Sequence, residues 1–250
     1  MVSKACVVGE YQKKLEELAT FPDLALTVIV PPFWRDERGV LPLERAYTNG
    51  YTLRVEPLAF NGQFHLHFYP TLARVFRELQ PDLVHLDEEP YNLATLLAQH
   101  YARRVGARSL FFTWQNLLRR YPLPFEWMQT RVFKQTDYAI AGSDQAARVL
   151  RAKNYRGPLS VLPQFGVNPE KFLPAQVAAK SFRIGFVGRL VEEKGLAVLL
   201  RALASLRGDW ELRVLGRGPE SEKLQTLTRE LNIQNKISFD RPRPSTEMPT

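Results

Sequence analysis

Short apolar runs alternate with segments of helical periodicity along almost the whole chain, and this alternation restricts the folds that it can adopt. Apolar residues recur at helical spacing at positions 72, 75, 76 and 79, and again at 93, 96, 97 and 101. Asn92 is predicted to cap the second of these helices, and Gly106 lies just beyond its end. The apolar runs are short and rich in Val, Ile, Leu and Phe, as buried parallel strands are: residues 5–8, 26–30, 83–86, 109–113, 138–141, 159–162, 183–187, 212–215 and 237–239. The sequence therefore predicts an α/β fold in which helices cover parallel sheets.

The alternation breaks at residues 162–181, LPQFGVNPEKFLPAQVAAKS, where three prolines interrupt a helix-poor stretch. A new series of strands and helices begins at Arg183, so we predict a domain boundary near residues 173–181. The first domain then covers residues 1–174 and the second covers residues 181–250. About three strands are predicted in the second domain, whereas a complete doubly wound domain usually has about five or six. We therefore expect two Rossmann-type parallel-sheet domains, of which the second is incomplete.

The charge and hydropathy of the chain exclude several classes of protein. Its net charge of +8 is spread over both halves without a basic tail or stripe, which argues against a nucleic-acid partner. Small phosphorylated molecules or an anionic membrane surface suit this mild positive charge better. No apolar run approaches the roughly 20 residues of a membrane span, and the apolar stretch in the start MVSKACVVGEYQKK is too short for a signal peptide. A cytoplasmic protein is expected, with peripheral contact at the inner membrane face left open; the single cysteine, Cys6, is expected in a buried strand.

Polar residues and glycines follow several of the predicted strands. Ligands of open parallel sheets bind outside the carboxyl ends of the strands, so these residues are the first candidates for a site. They are Asp87, Glu88 and Glu89; Trp114, Gln115 and Asn116; Gly142, Ser143 and Asp144; Gly188 and Arg189; and Gly216, Arg217 and Gly218.

The stretch FVGRLVEEKG, residues 186–195, places two cations where a helix is about to start. Gly188 allows the chain to leave the strand sharply, and the helix is predicted to begin beside Gly195. A helix start has unpaired N–H groups and a positive dipole end, so adding Arg189 and Lys194 makes a pocket suited to a phosphate or diphosphate. The alternative is that both cations are solvated and pair with nearby glutamates.

A second glycine turn, VLGRGPESEKL, follows the next strand, and Gly216 and Gly218 would bring its backbone close to the same ligand. It lacks the third glycine of a dinucleotide fingerprint, and Pro219 removes one N–H donor. An ordinary turn between a strand and a helix is the alternative.

Taken in order, these motifs resemble the retaining GT-B glycosyltransferases of family 4. FVGRLVEEKGLAVLLRAL is similar to the strand, G-R-L-x-x-x-K-G turn and helix of that family, and ELRVLGRGPESEKLQTLTRELNIQNKISF is similar to its G-x-G-P-E segment. VLPQFGVNPEKF, residues 161–172, resembles the P-x-G-V-D-x-x-x-F signature, with Asn168 in place of the aspartate. The resemblance is dense from about residue 137 to 240 and fainter before that.

The resemblance implies a transferase that moves a hexose from a nucleoside diphosphate sugar to a sugar or lipid acceptor. Arg189 and Lys194 would hold the diphosphate, so neither a metal nor a cofactor is required. Gly188, Gly195, Gly216, Arg217 and Gly218 would complete the donor site. Asp87, Glu88 and Glu89 are the candidates for acceptor hydroxyl contacts, together with Trp114, Gln115 and Asn116 in the loop where many members carry a histidine. A solvated acidic loop is the alternative for the three carboxylates.

The chain also departs from the family pattern. Only Gly9 stands where a glycine-rich loop is usual, and the sequence ends before the point where family members carry the E-x7-E element that contacts the donor. A truncated, catalytically silent binding protein is therefore an alternative, and a nicotinamide oxidoreductase is a more distant one. His65 and His67 alternate along a predicted strand but have no neighbouring ligands, so a metal site is not favoured. The arginine pairs at 103–104 and 119–120 either touch anionic lipid or a phosphorylated acceptor, or simply face solvent. The oligomeric state and the identity of the donor sugar are not predicted.

Overall fold

The chain forms two compact units. The computed structural model describes residues 1–36, 39–167, 169–170, 172 and 181–240. Unit 1 consists of Met1–Asp36 and Val40–Gly166, and unit 2 consists mainly of the described residues after Gly166. Most of the predicted domain boundary, residues 173–180, lies outside the described residues, as does Asn168.

Unit 1 contains a parallel sheet with helices around it. Its main strands are β1 (Thr27–Val30), β4 (Thr52–Val55), β5 (Leu83–Leu86), β6 (Arg108–Thr113), β7 (Tyr138–Ala141) and β8 (Leu159–Val161), and β2 (Phe33–Asp36) and β3 (Gly39–Pro42) form a separate pair. Its helices are α1 (Lys13–Ala19), α2 (Leu72–Leu79), α3 (Leu93–Arg104), α4 (Phe125–Gln135) and α5 (Asp144–Ala152). The ladders β4–β1 and β5–β6–β7–β8 are parallel throughout, which confirms the predicted α/β fold.

The two ladders are joined by a single residue, Val2, which bridges β1 and β5 in parallel. The Val2 N–H donates to the His85 carbonyl at 2.8 Å, and the Ser3 N–H donates to the Ile29 carbonyl at 3.0 Å. The sheet order is therefore β4–β1–Val2–β5–β6–β7–β8. This is the order of a doubly wound fold in which the first strand is reduced to one bridge.

The predicted strand at residues 5–8 is wrong. Residues Ala5–Val7 and Gly9–Gln12 form two short 3-10 turns that lead into α1, and the strand position falls earlier, at residue 2. The Cys6 N–H donates to the Ser3 hydroxyl at 3.2 Å, which starts the first turn. Cys6 is fully buried as expected, although in a turn. A short apolar run does not distinguish a strand from a buried turn, because both bury the same side chains.

Two further predictions about unit 1 need correction. Asn92 stands at the start of α3, but its side chain makes no capping hydrogen bond. His65 and His67 lie in a turned segment, so they do not share the face of a strand. Gly106 lies just past α3 with a φ of 77°, a left-handed conformation that glycine adopts without a steric penalty.

Unit 2 has a three-stranded parallel sheet in the order β11–β10–β9. Its elements are β9 (Phe182–Val187), α6 (Leu196–Ala204), β10 (Trp210–Leu215), α7 (Ser221–Glu230) and β11 (Ile237–Asp240). Leu200, Trp210, Leu212 and Leu224 are buried in a core of its own, separate from the core that Leu86 and Phe111 share in unit 1. No helix among the described residues is long and apolar enough to cross a membrane.

Candidate donor and acceptor sites

The carboxyl ends of β9 and β10 carry two glycine turns that are in backbone contact. The Gly188 N–H donates to the Leu215 carbonyl at 3.0 Å, and the Leu190 N–H donates to the Arg217 carbonyl at 3.0 Å. A Cβ atom on Gly216 would lie 1.9 Å from the Gly188 carbonyl oxygen, and one on Gly218 would lie 2.3 Å from the Leu190 carbonyl oxygen. Both positions therefore require glycine, because the two turns approach too closely for any side chain.

Exposed cations surround these turns. Arg189 follows Gly188 directly, and Arg217 lies between the two glycines of the second turn. Lys194 ends the short turn Glu192–Lys194, and Gly195, with a φ of 70°, starts α6. The first N–H groups of a helix lack partners within the helix and give its start a partial positive charge. The donor-side residues predicted from the sequence are thus collected at one edge of the unit 2 sheet.

In unit 1, Asp87 and Glu88 follow β5 and are buried among basic and polar partners, which excludes a fully solvated acidic loop. The Ser3 hydroxyl donates to Asp87 at 2.7 Å, Gln164 donates to its other oxygen, and the Lys14 ammonium lies 3.6 Å away. Both carboxylates are less than a tenth exposed.

Glu88 forms a buried ion pair with Lys4. The Lys4 N–H donates to one carboxylate oxygen at 3.0 Å, and the Lys4 ammonium and the His67 ring contact the other. Burial alone would raise the pKa of Glu88, but the Lys4 and His67 charges and their hydrogen bonds outweigh it and lower this pKa to about 2. These contacts leave Glu88 little capacity to bind a ligand as well.

Glu89 lies at the ends of β5 and β6 and is only partly buried. The Thr113 hydroxyl donates to Glu89 Oε2 at 2.5 Å, and the Trp114 N–H donates to Oε1 at 2.9 Å. Burial raises the pKa of Glu89 to about 7 against the opposing effect of these two hydrogen bonds. Near neutral pH this carboxyl group is therefore populated in both protonation states, so it can either accept or donate a hydrogen bond.

The other predicted acceptor-side residues follow β6. Trp114 is 42% exposed, and its ring stacks on Phe165 with centroids 6.2 Å apart. The same ring covers Gly142, where a Cβ atom would lie 2.3 Å from it. Gln115 is turned inward and donates to the Tyr121 hydroxyl at 3.0 Å, whereas Asn116 is exposed.

Sequence reasoning missed several residues that hold this cluster together: Lys4, Lys14, Tyr121, Lys153 and Gln164. Lys4 comes two residues after the Val2 bridge. A strand placed at residues 1–3 would have identified it as a residue at a strand end. Within the described ranges, no group of three His, Cys, Asp or Glu side chains is arranged to hold a metal ion.

The chain has two α/β units, each with a parallel sheet and with polar or glycine-rich turns at its strand ends. This combination is typical of the GT-B class of fold. A solved structure of Anabaena HepE in complex with UDP-glucose supports this, with a TM-score of 0.67 over 97% of this chain and 68% of that chain at 14% identity. The chain belongs to Glycosyltransferase Family 4, whose family model matches residues 25–171, more than half of its length. A second model, Glycosyl transferases group 1, matches residues 169–250.

Curated relatives extend these matches. The chain is 26% identical over 176 residues to a lipopolysaccharide 1,6-galactosyltransferase of Escherichia coli, covering 69% of this chain and 46% of the relative. It is 30% identical over 176 residues to a GDP-mannose-dependent alpha-mannosyltransferase of Corynebacterium glutamicum, covering 63% of this chain and 41% of the relative. The chain therefore spans less than half the length of these two relatives.

Proposed function

We propose that this chain carries the diphosphate-binding part of a retaining glycosyltransferase that moves a hexose from a nucleoside diphosphate sugar to an acceptor hydroxyl. The observation that carries this proposal is the pair of glycine turns in backbone contact at the ends of β9 and β10, with Arg189, Lys194 and Arg217 around them. Such turns expose backbone N–H groups at close range, which suits a diphosphate. The two relatives, named as galactosyl and mannosyl transferases, support a hexose donor.

The cations would act mainly on the leaving group. When the bond between the sugar and the phosphate breaks, the sugar becomes oxocarbenium-like and negative charge grows on the departing diphosphate. Arg189 and Lys194 would then stabilise the transition state more than the bound donor, which is the condition for faster chemistry. Because these side chains supply the positive charge, we propose that the reaction is independent of metal ions.

On the acceptor side, Glu89 and Trp114 are the best candidates for ligand contacts. Glu88 is already occupied by Lys4 and His67, whereas Glu89 is a partly exposed residue without an ion-pair partner among the described side chains. A sugar hydroxyl would meet a hydrogen-bonding partner in Glu89, and the exposed part of the Trp114 ring would pack against a sugar ring. We propose a glycan or lipid-linked glycan as the acceptor, since the Escherichia coli relative is named for transfer to lipopolysaccharide.

Titration calorimetry with UDP, GDP and ADP tests the donor site. We expect Arg189→Ala and Lys194→Ala each to weaken binding of the preferred diphosphate about tenfold or more, since each removes a charge-assisted contact. Arg183→Ala is a matched control, because Arg183 lies at the opposite end of β9 and pairs with Glu211 at 3.6 Å.

Unchanged affinity in both Arg189→Ala and Lys194→Ala would contradict the assigned roles. Addition of EDTA should leave the affinity of the unsubstituted chain unchanged. Loss of binding with EDTA would contradict metal independence.

A further inference from the structure

Unit 1 contains a basic cavity that none of the assigned roles uses. Its volume is about 740 Å³, and it is lined by residues of α4, the end of α5 and the loop before α4. Among its described lining residues are five basic side chains, Arg119, Arg120, Lys134, Lys153 and Arg156, against a single carboxylate, that of Glu126. A volume in this range suits a small-molecule ligand, and the surplus of cations selects an anionic one.

The ammonium group of Lys153 is held in place within this cavity by two neighbouring side chains. Its ammonium group donates to Gln129 Oε1 at 3.0 Å and lies 4.5 Å from the centroid of the Tyr121 ring. Because an ammonium group has three N–H donors, the Gln129 contact leaves donors for a ligand. Burial also lowers the pKa of Lys153, so an anion placed beside this group would offset part of its desolvation cost.

A chain of hydrogen bonds joins the cavity to the acceptor-side residues. Gln129 donates to Gln115 Oε1 at 3.4 Å, and the Gln115 N–H donates to the Thr113 hydroxyl at 3.1 Å. Thr113 in turn donates to Glu89 at 2.5 Å. Three residues, Gln129, Gln115 and Thr113, therefore connect the Lys153 ammonium group with the carboxyl group of Glu89.

We propose that this cavity binds a phosphate group carried by the acceptor, either a phosphomonoester or a diphosphate. The proposal rests on the transferase function proposed above, because it treats Glu89 and Trp114 as the place where the acceptor hydroxyl lies. Arginine and lysine together suit a phosphate oxygen cluster, since arginine binds it with two parallel N–H groups and lysine binds it as a point charge. The phosphate would anchor the acceptor at a fixed distance from the reacting hydroxyl.

The test uses the Arg189→Ala, Lys194→Ala double variant, so that the donor site does not compete for phosphate. Glucose 6-phosphate represents a free sugar phosphate, and glucose is the neutral control. Vesicles of phosphatidylcholine with phosphatidic acid represent a lipid phosphate, and vesicles of matched surface charge with phosphatidylserine are their control. Calorimetry measures the soluble arm, and cosedimentation measures the vesicle arm.

We expect binding in one of the two phosphate arms, and the arm that responds identifies the source of the phosphate. Lys153→Met and Arg156→Ala, each added to the double variant, should weaken that binding about tenfold or more, and Lys153→Arg should restore most of it. Arg77→Ala is the matched control, since it removes the same charge from an exposed position on α2, outside the cavity. Arg156 is exposed, so its substitution also guards against a loss of folding in the Lys153→Met variant.

The proposal is overturned if neither arm binds, if glucose 6-phosphate does not bind and both kinds of charged vesicle bind equally, or if the cavity variants bind as well as Arg77→Ala. The donor assignment is judged separately. In a chain that retains Arg189 and Lys194, Lys153→Met should leave affinity for the nucleoside diphosphate unchanged.

Discussion

At the scale of single residues, the buried pair of Lys4 and Glu88 shows how the strand ends of unit 1 tolerate closely packed carboxylates. The Lys4 side chain is 12% exposed and that of Glu88 is 1% exposed. The folded-state pKa of Glu88, about 2, lies below its ordinary value of 4.5. Its ionised form therefore contributes stability above about pH 4.5, and this contribution is lost as the pH falls toward 2.

Removing one member of this pair should be costly. We expect Lys4→Met to lower the free energy of unfolding at pH 7 by about 3 to 5 kcal/mol, because it leaves a buried carboxylate without its partner. The loss should shrink as the pH falls, since Glu88 can then take up a proton. Urea unfolding followed by circular dichroism measures both effects.

The control for this prediction is the double variant Lys4→Met, Glu88→Gln. It should recover most of the lost stability, because position 88 then no longer carries a buried carboxylate without its partner. A double variant as unstable as Lys4→Met alone would show that the packing of the lysine stem, and not its charge, matters.

At the scale of elements, the contact between the two glycine turns fixes the geometry at the ends of β9 and β10. A methyl group on Gly216 would overlap the Gly188 carbonyl oxygen, which is backbone and can move only if the turns separate. We expect Gly216→Ala to weaken binding of the nucleoside diphosphate about tenfold or more and to cost roughly 2 kcal/mol of stability.

Gly185 is the matched comparison for Gly216. It lies within β9, and a Cβ atom there would meet nothing within 4 Å. Gly185→Ala should therefore leave binding unchanged. Calorimetry on both variants checks the pair, and equal losses would show that the close approach of the turns is not the cause.

The elements also show which parts of the fold can be predicted from the sequence. Helical periodicity located α2 and α3, short apolar runs located eight of the nine predicted strands, and the glycine spacing located the turns of unit 2. The apolar run at residues 5–8 misplaced the first strand, because a single bridge at Val2 leaves almost no local pattern. The partners of Asp87 and Glu88 were missed for another reason. Lys14 and Gln164 lie far from Asp87 along the chain, and only the folded sheet brings them together.

At the scale of the whole molecule, each unit has its own hydrophobic core, so a ligand of one unit should stabilise that unit directly. At a concentration 100 times its Kd, a nucleoside diphosphate should add about 2.7 kcal/mol to the stability of unit 2. Hydrogen exchange measured by mass spectrometry should show the added protection in β9, β10 and α6.

The strands of unit 1 provide the control in the same hydrogen-exchange experiment. Peptides from β5, β6 and β7 should exchange at the same rate with and without the nucleotide. Protection that appears mainly in these unit 1 strands would contradict the assignment of the diphosphate to unit 2.

Because Cys6 is buried, its reaction with a thiol reagent can be used to measure local opening of unit 1. Burial raises the pKa of this thiol to about 11, so the reactive thiolate is scarce near neutral pH while unit 1 is folded. No other cysteine is present to compete for a reagent. The rate at which a maleimide modifies the native chain therefore reports how often the first turn of unit 1 opens, without any engineered probe.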